Sequence, residues 1–94
     1  MKIMKVLGEK WMLLILRELY NEKSLRFGEI VKRMENISSR TLSKRLTELT
    51  KIQIVKRETF RETPPRVEYS LTNSGRELIK YFKNLDKWAI KWGI

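Results

Sequence analysis

Two prolines, Pro64 and Pro65, separate two runs whose side chains alternate along the chain, and this arrangement restricts the fold more than any other feature of the sequence. QIVKRETF at 53–60 and RVEYSLT at 66–72 are rich in β-branched and aromatic residues, and in the second run Val67, Tyr69 and Leu71 alternate with Glu68 and Ser70. That is the period of a strand. Proline donates no ladder hydrogen bond, so the intervening RETPPR belongs at a hairpin tip and not inside a sheet. The expectation is a single two-stranded ribbon with a stiff, basic end in a chain that otherwise reads mainly as helix.

The helices follow from a period near 3.6. From Glu9 to about Asn21 the residues are strong helix formers, and the unbroken apolar run WMLLIL covers every direction around the axis. One face can enter the chain's own core, and the remainder needs another surface, which implies a second protomer. After a turn-like NEKS and a short extended LR, FGEIVKRM places Phe27, Ile30, Val31 and Met34 at i, i+3, i+4 and i+7. Glu35 and Asn36 interrupt it. Ser38 then stands as N-cap of a third helix, with Ile37 and Leu42 as a hydrophobic staple. In that helix Leu42, Leu46 and Leu49 lie within about 40° of one another, while Arg40, Lys44, Thr47 and Lys51 fall opposite. Finally, Asn73 to about Trp92 carries Leu78, Phe82, Leu85, Ala89 and Trp92 at gaps of four and three, the seam of a coiled-coil-like helix.

Composition narrows the function. The 94 residues suit one domain spanning 1–94. Lys and Arg number 21 against 11 Asp and Glu, giving a formal charge of +10, which favours a polyanionic partner. Cysteine and histidine are both absent, so disulfides, thiol sensing, imidazole catalysis and the usual zinc ligands go together. Glu58, Glu62 and Glu68 have no companion nucleophile or metal-ligand set, so neither an enzyme nor a cofactor or metal site is expected. WMLLIL is far shorter than the ~20 residues of a membrane span. The expected location is the cytoplasm, with the nucleoid.

Three helices followed by a hairpin is the order of a winged helix-turn-helix, in fold-class terms α+β and mainly α, where the third helix enters the DNA major groove and the hairpin flanks it. The recognition helix is placed at about 38–50. Arg40, Ser43, Lys44 and Thr47 are the expected base readers, because guanidinium and ammonium groups bond guanine acceptors and hydroxyls read either base type. Ser38, Ser39 and Thr41 lie in the first turn, where free backbone N–H groups favour a phosphate, although Ser38 can serve as a cap alone. Arg61, Pro65 and Arg66 form the wing tip at about 61–66, expected on the minor groove or the backbone. Arg26 is a lesser phosphate candidate. Lys56 and Arg57 point to opposite sides of their strand, so at most one can face DNA with the wing. Lys80, Lys83, Lys87 and Lys91 share one face of the last helix and read as its solvated side. Trp11, Met12, Leu16, Leu78, Phe82, Leu85, Trp88, Ala89 and Trp92 are the expected dimer surface. A protein-interaction module and a generic nucleic-acid binder are the alternatives to sequence-specific DNA binding.

GEKWMLLILREL at 8–19, LRFGEI at 25–30, ISSRTLSKRLTEL at 37–49 and ETPPRVEYSLTNSGREL at 62–78 closely resemble the HxlR-type winged-helix transcription regulators, related to the MarR type. The resemblance implies a homodimer joined through its terminal helices, two recognition helices on an inverted-repeat operator in double-stranded DNA, and control of transcription. Many members carry a cysteine before the first helix that senses oxidants or electrophiles. Here that stretch is MKIMKVL, so thiol sensing does not carry over: either the regulator responds to a non-covalent effector, or it binds DNA constitutively with its level set by expression.

Overall fold

A computed structural model describes residues 2–94. In chain order the elements are α1 Lys2–Leu7, α2 Met12–Tyr20, α3 Phe27–Met34, α4 Ser39–Lys51, β1 Val55–Phe60, β2 Arg66–Leu71 and α5 Asn73–Trp92. Four helices therefore precede the hairpin, where the sequence predicts three. The additional one is α1, within the basic MKIMKVL stretch. The helix expected from Glu9 begins instead at Met12, because Trp11 adopts a left-handed backbone conformation (φ 79°) that separates α1 from α2.

The apolar run of α2 is not uniformly covered. Met12, Ile15, Leu16 and Leu19 have no exposed surface, whereas Leu13 and Leu14 face outward. Met12 and Leu16, expected at a dimer surface, thus lie wholly within the protomer's own core. The period of 3.6 sorts a fully apolar helix once a core exists to sort it against, and it sends residues at i, i+3, i+4 and i+7 inward.

Between α3 and α4 the chain turns at Glu35 (φ 43°) and Asn36 (φ 61°). Asparagine tolerates this region better than most residues. Ser38 caps α4 by accepting the Thr41 amide at 3.1 Å, and Ile37 and Leu42 are both buried across the cap. The strand expected from Gln53 starts two residues later, because Gln53 is itself left-handed (φ 61°) and the Ile54 amide donates back to the Leu49 carbonyl at 3.0 Å. β1 and β2 pair antiparallel in the register Val55 with Leu71 through Phe60 with Arg66. The short extended segment around Leu25 joins this ribbon through two 2.8 Å backbone bonds with Tyr69.

α5 is docked at its start and free at its end. The Thr72 hydroxyl accepts the Gly75 amide at 3.1 Å and donates towards the Gln53 and Ile54 carbonyls at 2.7 and 3.1 Å. A Cβ on Gly75 would stand 2.3 Å from the Ile54 carbonyl oxygen, so only glycine permits this approach. Beyond Ile79 no residue of α5 is buried. Gly93, left-handed at φ 70°, ends it.

Candidate nucleic-acid interface

The two edges of α4 separate cleanly. Leu42, Leu46 and Leu49 are buried to 1% exposure or less, while Ser39, Arg40, Ser43, Lys44, Thr47 and Lys51 are exposed. The leucines pack into the same core as Ile15, Leu16 and Ile30, which fixes the axial rotation of the helix and therefore the direction of the cationic edge. Ser38 is engaged as the cap, and its hydroxyl donates to the Thr41 hydroxyl at 2.9 Å, so neither group is free of local duties. Thr47 donates its hydroxyl hydrogen to the Ser43 carbonyl at 2.9 Å, which leaves a methyl group and oxygen lone pairs facing outward. Arg26 is exposed as the N-cap of α3, where its amide donates to Glu29 at 2.8 Å.

One arginine of α4 is used differently. Sequence reasoning leaves Arg45 aside. In the structure its guanidinium pairs with Glu9 and, at 3.0 Å, with Glu48, and its Nε donates to the Lys10 carbonyl at 3.1 Å. It ties the middle of α4 to the turn between α1 and α2.

The ribbon corrects the expectation of two projecting cations at its tip. Arg61 and Pro65 are exposed. Arg66 instead folds back: its guanidinium lies 3.1 Å from Glu62 and 3.0 Å from Glu68 and covers the Phe60 ring at 4.2 Å. Its Nε–H is not aligned for a hydrogen bond with Glu68, so the contact is an ion pair only. The register assigns Lys56, Glu58, Phe60, Arg66, Glu68 and Ser70 to one face, and on that face Lys56 also pairs with Glu58 at 3.8 Å and Ser24 bonds Glu68 at 2.7 Å. Val55, Arg57, Thr59, Val67, Tyr69 and Leu71 share the other. Val55 and Leu71 on that second face are buried in the core, so Arg57 is turned towards α4. An open cleft of about 550 Å³ lies between them, lined by Ser43, Leu46, Thr47, Thr50, Lys51, Arg57 and Tyr69. Of the two strand cations, Arg57 is the one beside α4. The parity it shares with the apolar Val55 is the signal from which the sequence could have revealed this.

Among the described residues of α4 and the ribbon, Arg40, Lys44, Lys51, Arg57 and Arg61 form no ion pair, whereas Arg45, Lys56 and Arg66 each do. The unpaired cations are those on the outer edge of α4, in the cleft and at the tip.

The profile of the HxlR-like helix-turn-helix family matches residues 6–94. The chain belongs to that family. Among its relatives, the HTH-type transcriptional regulator YvaP of Bacillus subtilis is 43% identical over 91 residues, which span 97% of this chain and 83% of YvaP. The crystal structure of a MarR-family transcriptional regulator from Enterococcus faecalis superposes on the HxlR-like chain with a TM-score of 0.89 at 36% identity, covering 96% of this chain and 81% of that one. The reduced form of the regulator YodB from B. subtilis gives 0.85, also at 36%, over 94% and 85%. This HxlR-like chain is a transcriptional regulator with a helix-turn-helix DNA-binding domain, and the winged fold read from its sequence is the fold it has. Among its described residues no helix is long and apolar enough to cross a membrane.

Proposed function

We propose that the protein acts as a homodimer that binds a specific, inverted-repeat operator, with α4 in the major groove and the ribbon on the flanking backbone or minor groove. The observation that carries this reading is the split of α4 into a buried leucine edge and an outer edge of unpaired cations and hydroxyls. Arg40 and Lys44 offer donors to guanine O6 and N7. Thr47, whose hydroxyl hydrogen is engaged, offers its methyl group to thymine. Ser39 and Ser43 add hydroxyls at the N-terminal end of the same edge. Arg61 and Pro65 contact DNA from the tip, and Arg26 reaches a phosphate from the start of α3.

Dimerisation is supported by the apolar surface that α5 leaves uncovered. Leu85, Trp88 and Trp92 are each more than half exposed, and Leu13 and Leu14 of α2 lie beside the same groove as Phe82 and Leu85. A two-fold dimer requires half-sites about one or two helical turns apart. YodB has been solved in reduced, diamide-treated and quinone-bound forms. No cysteine stands in this sequence, so any signal this protein receives is not read by a thiol of these residues. Selection from a random duplex pool tests the reading: an enriched inverted repeat supports it, and recovery of unrelated sequences with one common affinity defeats it. Sedimentation showing a monomer at micromolar concentration removes the dimer.

A further inference from the structure

We propose that the cleft between α4 and β1 is a phosphate clamp, in which Lys51 and Arg57 hold one strand of the DNA backbone from opposite sides. The inference rests on the DNA-binding reading above and assigns the backbone contact of the wing to the strand residue Arg57 instead of the tip residue Arg66.

Three observations carry it. First, the cleft is open, about 550 Å³ in volume, and its described lining holds two cations, the hydroxyl-bearing Ser43, Thr47, Thr50 and Tyr69, of which the two threonines donate to carbonyls of their own helix, and no carboxylate. In a ribbon that bears Glu58, Glu62 and Glu68, an acid-free wall is a sorted one. Second, Glu58 and Glu68 occupy the opposite face together with the cations that pair with them, Lys56 and Arg66, and Arg66 pairs also with Glu62 at the tip. Arg66 therefore brings no net charge to a phosphate without first breaking two ion pairs and its stacking on Phe60. Third, Arg57 is exposed and held only by a 3.3 Å bond to the Thr59 hydroxyl, which leaves four of its five donors for a planar, bidentate match to phosphate oxygens. Lys51 approaches from the last turn of α4. The cleft continues the outer edge of that helix, so a backbone lying in it runs beside the groove that Arg40, Ser43 and Lys44 would occupy.

The test is a binding titration by fluorescence anisotropy over a series of salt concentrations, with the selected operator duplex and a scrambled duplex as probes. Each phosphate contact contributes about 0.9 to the salt slope, or roughly eightfold in affinity at 0.1 M salt. Arg57→Ala and Lys51→Ala are each expected to lower the slope by about one contact on both probes alike. Arg57→Lys is expected to keep most of the slope, and Lys56→Ala and Arg66→Ala to keep all of it. Thermal unfolding of each variant separates a lost contact from a lost fold. A wild-type slope in a folded Arg57→Ala protein, or an equal loss in Arg66→Ala, overturns the clamp while leaving operator binding intact. Absence of salt-dependent binding by the wild-type protein to either duplex defeats the DNA-binding reading, and the clamp with it.

Discussion

α4 and the distal half of α5 are written in nearly the same alphabet, with apolar residues at gaps of three and four and lysines opposite, yet the structure leaves them in opposite states. In α4 the apolar edge is consumed by the protomer's core and the cationic edge faces solvent. In α5 the apolar edge itself is exposed, with Leu85 54% and Trp88 52% accessible. A helix whose hydrophobic edge is already buried can offer only polar chemistry, so its partner is charged. A helix whose hydrophobic edge is uncovered calls for an apolar partner. The difference lies in depth of burial and not in sequence pattern.

The contrast can be broken most forcefully at Leu46. Leu46→Ala is expected to destabilise the fold by about 2–5 kcal/mol in urea unfolding, because it opens a cavity in a close-packed interior. A loss below 1 kcal/mol, on the order of a surface change, would mean that α4 is not anchored by its leucines. Arg45→Ala leaves Glu9 and Glu48 facing each other without their shared cation. The group is only partly buried, so the expected loss is about 2 kcal/mol, less than for a fully buried pair. DNA affinity is expected to fall further than Arg45→Lys lowers it, since a lysine keeps the charge but not the fork. Equal DNA binding by wild type and the alanine variant would show that the link to the α1–α2 turn does not set the pose of α4.

Gly75→Ala probes the docked end of α5. The added methyl group meets a backbone carbonyl that already accepts two hydrogen bonds from Thr72, and a loss of about 1–3 kcal/mol is expected by the same unfolding measurement. Arg40→Ala and Lys44→Ala address the outer edge of α4. Each is expected to cost about 1–3 kcal/mol in operator binding and to relax preference at one position per half-site, with folding changed by less than about 0.5 kcal/mol. A uniform loss across all duplexes would make them phosphate contacts instead of readers. The smallest effect on the protomer is expected from Leu85→Ser combined with Trp88→Ser, which leaves its folding within about 0.5 kcal/mol when measured in dilute solution. The same change is expected to shift the sedimenting species from dimer to monomer. A large loss of protomer stability would place that face inside the core and erase the distinction between the helices.

Much of this molecule is encoded locally. The leucine and cation edges of α4, the Ser38 cap with its Ile37–Leu42 staple, the limits of α5 and the hairpin tip at Pro64 and Pro65 all follow from short-range spacing and from what proline and serine do to a backbone. These features depend on residues within about one turn of one another, so the sequence determines them by itself. Which partner each face meets was decided elsewhere. Met12 and Leu16 went inward while Leu13 and Leu14 stayed out, Arg66 folded onto the Phe60 ring of the facing strand, Arg45 withdrew to Glu9, and Arg57 came to stand beside α4. Each outcome pairs groups from different elements, or chooses between two faces that periodicity renders equivalent. A period names the faces of a helix or strand, and only the packed core, by its close fit and its exclusion of water, selects which of them is turned to solvent.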